Sequence, residues 1–70
     1  MFWWFERSGR YLRCETRFIG KGSYEFVMTQ PDGTERVEHF TDAEAMTRRQ
    51  EAAQRELADD GWTGPHGWNI

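Results

Sequence analysis

Two hydrophobic periods divide this chain. Apolar and polar positions pair with a period of two over residues 2–40, and the period becomes helical over residues 43–57. The first region breaks at three turn signals, so it predicts four short strands. Ser8-Gly9 suits a two-residue hairpin loop between Phe2–Arg7 and Arg10–Ile19. Pairing Arg7 with Arg10 sets Phe5 opposite Leu12 and Trp3 opposite Cys14 on one face. Trp4 opposite Arg13, Phe2 opposite Glu15 and Glu6 opposite Tyr11 then fall on the other.

Gly20-Lys21-Gly22 reads as the second loop. Pairing Ile19 with Ser23 places Phe18 opposite Tyr24, Thr16 opposite Phe26 and Cys14 opposite Met28. The parity agrees across both hairpins, which fixes the register. Pro31-Asp32-Gly33 is the third turn, with Pro presetting φ and Gly taking a positive φ. With Gln30 facing Thr34, Val27 meets Val37, while Arg36 and Glu38 point towards the other face. The fourth strand, Thr34–Phe40, is therefore expected at an edge or to carry a bulge.

The helical stretch runs from Phe40 to Trp62 and carries signals at both ends. Thr41-Asp42-Ala43-Glu44 has the form of a capping box with Thr41 as the cap, and Phe40 is placed to staple onto Ala45. Gly61 suits the left-handed closing turn, with Trp62 packing back onto Leu57. Ala43, Met46, Gln50, Ala53 and Leu57 form the inward stripe. They pack on Trp3, Phe5, Leu12, Cys14, Phe18, Tyr24, Phe26 and Met28. Glu44–Arg48 and Glu51–Arg55 mark the outer surface as i,i+4 pairs. The expected fold is α+β: a four-stranded antiparallel β-meander with one C-terminal α-helix packed on one face, in the order ββββα. Residues 1–62 form the single domain. Residues 63–70, without strand or helix period, read as a C-terminal tail anchored by Trp68 and Ile70.

Seventy residues build only a small core, and a single cysteine excludes an internal disulfide. Eleven aromatic residues supply the compensation, each able to bury roughly 150–250 Å². Charge is dipolar behind the net −3: residues 1–24 carry a balance of +3, and residues 25–40 and 41–70 each carry −3. Seven of the aromatics lie in the basic third. No apolar run approaches the roughly 18 residues that a membrane helix needs. Met1–Phe5 is too short for a secretory signal and is ended by Glu6, so a soluble, reducing, cytoplasmic setting is expected.

The order of four meandering strands and a long helix resembles the PC4-like single-stranded-DNA-binding coactivators. The likeness is of element order alone, so no nucleic-acid residue is carried over from it. Trp3-Trp4-Phe5-Glu6-Arg7, Pro31-Asp32-Gly33 and Asp60-Gly61-Trp62-Thr63-Gly64-Pro65 are similar to a group of small bacterial proteins with no known activity.

Candidate chemistry is sparse. Cys14 with His39 or His66 would suggest a thiolate–imidazole pair, but the register sends Cys14 and His39 to opposite faces and makes Cys14 a buried structural thiol. Glu56, Asp59 and Asp60 share the last helical turn near His66, yet lack a second segment of ligands and read as a solvated face. Gly20-Lys21-Gly22-Ser23 lacks the spacing and the following helix of a phosphate loop. No enzyme, cofactor or metal is expected. The informative surface is the sheet face the helix leaves open, where Phe2, Trp4, Tyr11, Val27 and Val37 lie among Arg13 and Arg17. It suggests a non-catalytic interaction module that binds another protein or, as the favoured case, self-associates as a homodimer through the aromatic sheet face, with Arg13 and Arg17 pairing Glu15 or Glu25 of the other copy. The alternatives are a face covered by Trp68 of the tail, a small ligand, or single-stranded nucleic acid held by Trp4, Tyr11, Arg13 and Arg17.

Overall fold

A computed structural model describes residues 1–67 of the 70. Five strands and one helix follow in the order β1 (Phe2–Arg7), β2 (Arg10–Gly20), β3 (Ser23–Thr29), β4 (Glu35–Phe40), α1 (Ala43–Asp59) and β5 (Thr63–His66). The fold is α+β, and its sheet is antiparallel with strand order β4-β3-β2-β1-β5. The chain thus has one strand more than the sequence pattern predicts. Residues 63–66, expected as a tail, pair instead with β1, through Trp4 with His66 and Glu6 with Thr63. Gly64 and Pro65 hide this strand from propensity, since both residues are poor in strands except at an edge. With β5 in place, β1 is an interior strand, whereas a four-stranded meander would leave it at the sheet edge. Trp68 and Ile70 lie outside the described residues.

The hairpin registers follow from turn chemistry. Ser8 (φ 53°) and Gly9 (φ 77°) both take positive φ, as a two-residue I′ turn demands, and Arg7 pairs with Arg10 as expected. Every β1–β2 pair predicted from that turn is present. The second turn differs. Gly20, not Ile19, faces Ser23, so the loop is Lys21-Gly22 and the register shifts between Phe18 and Gly20. Ile19 becomes the extra residue of a bulge, while Phe18–Tyr24 and the pairs beyond keep the predicted register. In the third turn the Gly33 amide donates to the Gln30 carbonyl at 2.9 Å, and the Thr34 amide donates to Asp32 Oδ1 at 2.9 Å. β4 then pairs regularly with β3, Val37 opposite Val27, and lies at the edge without a bulge.

Capping moves one residue from its expected place. Asp42, not Thr41, is the N-cap, with Oδ1 accepting from the Glu44 amide at 3.2 Å. A carboxylate at the positive end of the helix dipole is a better acceptor there than a hydroxyl. The other end closes as predicted. Gly61 (φ 88°) lets its amide reach Ala58 O at 3.1 Å while the Trp62 amide reaches Leu57 O at 2.9 Å.

The core between α1 and the sheet contains Trp3, Phe5, Leu12, Cys14, Phe26, Met28, Ala53 and Trp62, flanked by Phe40, Met46 and Leu57. Trp3 stacks on Phe26 with ring centroids 6.2 Å apart. Four expected members lie outside it, and of these Gln50 and Tyr24 are half-buried. Ala43 is exposed, because it lies at the margin of the helical stripe. Phe18 is 70% exposed and meets Tyr24 edge-on at 5.5 Å, because the eleven-residue β2 runs past the cover the helix gives. Arg36 and Glu38 face the helix side as the parity required, and Glu38 meets Arg49 Nε at 2.9 Å. That contact explains how a charged residue is accommodated on this face. Among the described residues, no helix is long and apolar enough to cross a membrane.

Candidate functional site

The face of the sheet opposite α1 gathers most of the residues singled out from the sequence, but not on equal terms. Phe2 and Tyr11 are 47% and 59% exposed, and Val37 is 43% exposed. Val27 is only 1% exposed although it lies on this same face, so it presents nothing to a partner. Its cross-strand neighbours are Glu15 and Val37. Glu15 is in turn held by Arg17, so an ion pair borders Val27 on one side and an apolar side chain on the other.

Those charges are arranged within one chain. Arg17 donates from Nη2 to Glu15 Oε1 at 3.2 Å and lies 3.7 Å from Glu25 Oε1 through Nη1. The hydrogen bond to Glu15 raises the Arg17 pKa further above its ordinary value. His39 Nε2 lies 2.9 Å from the other oxygen of Glu25. The pairing of Arg17 with Glu15 or Glu25 expected across two copies is therefore intramolecular. Arg13 does not pair with Glu15 in this way. Its guanidinium carbon sits 4.7 Å from the centroid of the Phe2 ring, a cation–π geometry.

Trp4 is half-buried, and β5 is the reason. His66 lies beside it with ring centroids 6.3 Å apart, and Phe2 flanks it at 6.4 Å. Gly67, at φ 71°, passes so close over the indole that any Cβ there would overlap ring atoms. Part of the tail thus does shield the open face, through Gly67 and His66. In the sequence His66 drew notice only for its imidazole, with Cys14 or beside the acidic helical turn, and Gly67 not at all. The available signal was a glycine with nothing else to explain it, two residues after a Pro and well beyond the helix-closing Gly61.

The other candidate chemistries resolve into packing. Cys14 is buried on the helix side, and desolvation pushes its thiol up to about 12 while Arg49 pulls weakly the other way. His39 sits on the opposite face of the sheet, as the parity argument required. Glu56 turns to Arg49 at 3.6 Å. Asp60 instead accepts from Arg7 Nη1 at 2.8 Å through Oδ2, and its carbonyl accepts from the same nitrogen at 2.7 Å. Arg7 also lies over the Trp62 ring at 4.7 Å. The two carboxylates thus serve different cations.

No protein-family model matches the chain, and neither the curated proteins nor the solved structures give a match.

Proposed function

We propose that this chain is a small non-catalytic interaction module that associates with a second copy through the open sheet face, in a reducing, cytoplasmic setting. The observation that supports it is one sheet face on which Phe2, Tyr11 and Val37 remain 43–59% exposed beside the half-buried Trp4, with Arg17 already paired to Glu15 and Glu25 within the chain. Apolar surface of this kind, rimmed by polar groups, is characteristic of protein contacts. Single-stranded nucleic acid fits this face less well. Arg17 is held by two glutamates, and Glu6, Glu15, Glu25 and Glu35 all project from the same side, where a phosphate chain would be repelled.

Sedimentation velocity across a dilution series tests the proposal, together with the thermal midpoint, which rises with protein concentration when association stabilises the fold. Tyr11→Glu and Phe2→Glu are the variants of choice, since both residues are exposed whereas Trp4 is packed under Gly67. Both should fold and associate more weakly. A monomer at every concentration would remove self-association from the account, and salt-sensitive binding of poly-dT would favour nucleic acid instead.

A further inference from the structure

The two edges of the sheet are unlike. β5 is four residues long, contains Gly64 and Pro65, and pairs irregularly with β1. Its proline offers no amide, and such edges do not template another strand. β4 has six residues with no Gly, no Pro and no bulge, and Glu35, Arg36, Val37 and His39 on it are exposed.

The direction of its free backbone groups follows from the hairpin. The Gln30 amide donates to Thr34 O at 2.8 Å. In an antiparallel ladder, hydrogen-bonded pairs alternate with non-bonded ones, so Met28–Arg36, Phe26–Glu38 and Tyr24–Phe40 are the bonded pairs further along. The amides and carbonyls of Glu35, Val37 and His39 accordingly face outward, away from β3.

The side chains on this edge read the same after reversal and exchange of charge. Antiparallel pairing of β4 with itself around Val37 sets Val37 against its own copy, Glu35 against the copy's His39, and Arg36 against the copy's Glu38. The outward backbone groups are those of Glu35, Val37 and His39, which are the ones this register would bond. Moving the twofold axis by one residue puts Arg36 against Arg36 or Glu38 against Glu38. Like charges directly opposite disfavour both, so the charge pattern selects one register. Charged edge strands ordinarily deter pairing, but here the deterrent acts on the two neighbouring registers and spares the self-complementary one.

We infer that β4 is a docking edge for β4 of a second copy, joining two five-stranded sheets into one of ten strands with Val37 on the twofold axis. Glu38 already meets Arg49 at 2.9 Å and its own Arg36 at 3.8 Å, and the copy's Arg36 adds to the same carboxylate. Paired residues share a face, so both helices lie on one side and both aromatic faces on the other. Edge pairing is independent of contact through the aromatic face, and the two meet only at Val37.

Amide hydrogen exchange on the full chain, read residue by residue at low micromolar and at millimolar protein, distinguishes them. Edge pairing slows the amides of Glu35, Val37 and His39 by about tenfold or more at the higher concentration. Arg36→Glu, at an exposed position, abolishes that protection in a chain that still folds. Mixing it with Glu38→Arg restores the protection, because positions 36 and 38 again face each other with opposite sign. Should Glu38→Arg unfold through loss of its Arg49 contact, the exchange pattern and Arg36→Glu still decide. Tyr11→Glu leaves the protection intact. A monomer throughout overturns the inference. So does a dimer in which these three amides exchange at one rate at both concentrations, a result that would leave association through the aromatic face standing.

Discussion

Phe18 and Val27 reverse what the two faces of the sheet suggest. Phe18 points to the side that carries α1 and is 70% exposed, while Val27 points to the open side and is 1% exposed. A face assignment says which way a side chain leaves the strand, and its neighbours decide what it meets. At the β2–β3 end Phe18 meets Tyr24 edge-on and shares an open hollow with Met1 and Met46, which leaves most of its ring in solvent. Val27, on a central strand, is fenced by the Arg17–Glu15 and Arg17–Glu25 contacts.

The largest break in that contrast lies in the covered core. Phe26→Ala removes a 1%-exposed ring stacked on Trp3 and should lower unfolding free energy by about 3–5 kcal/mol. A shift in the urea midpoint corresponding to less than half of this would mean that the helix side is loosely packed.

Cys14 sharpens the contrast through pH. The unfolded chain releases the thiol proton near the ordinary 9.0, whereas the folded chain holds it to about 12. A folded pKa above the unfolded one adds stability that is fully present below 9.0 and is lost as pH rises from there towards 12. Cys14→Ala should flatten that part of the alkaline slope. Identical slopes in the two proteins would show a thiol that water reaches.

Next in size is Val27→Ala, expected to cost about 1.5 kcal/mol, near the value for two buried methylene-sized groups. Indifference to this change would mean that its neighbours shield it little. Asp42→Ala should cost about 1 kcal/mol and Thr41→Ala only a few tenths, because Asp42 holds the Glu44 amide. Equal losses at the two positions would restore the capping box centred on Thr41. Smallest of all is Phe18→Ala, within about 0.5 kcal/mol despite the ring's size, as befits an exposed position. A cost comparable to Phe26→Ala would erase the contrast.

Strand parity was legible because a period of two admits no partial error: once Arg7 meets Arg10, every β1–β2 pair follows. The helix closure was legible for a similar reason, since only a residue tolerant of positive φ serves at Gly61. Where two neighbours compete for one role, pattern alone chose wrongly. Thr41 and Asp42 both suit a cap, and the charge of Asp42 decides in its favour. Gly20 and Ile19 both suit the strand end, and the bulge decides between them. β5 was illegible for a different reason. Thr63-Gly64-Pro65-His66 has no strand character of its own and takes its extended form from the outer edge of β1. The open face was recognised by its aromatics, but their exposure was not, because Val27 and Trp4 owe their cover to Arg17, His66 and Gly67.

The seating of β5 against β1 also bears on how the chain acquires its shape. The three hairpins close over short loops and form early, but the Arg7–Asp60 and Glu6–Thr63 contacts join residues 53 and 57 apart. A polypeptide emerging from the ribosome therefore carries β1 with one bare edge until residues 63–66 have left the exit tunnel. That strand holds Trp3, Trp4 and Phe5. The most aromatic strand is the last to be sealed, and in the nascent chain it is the segment most open to mispairing and to capture by chaperones.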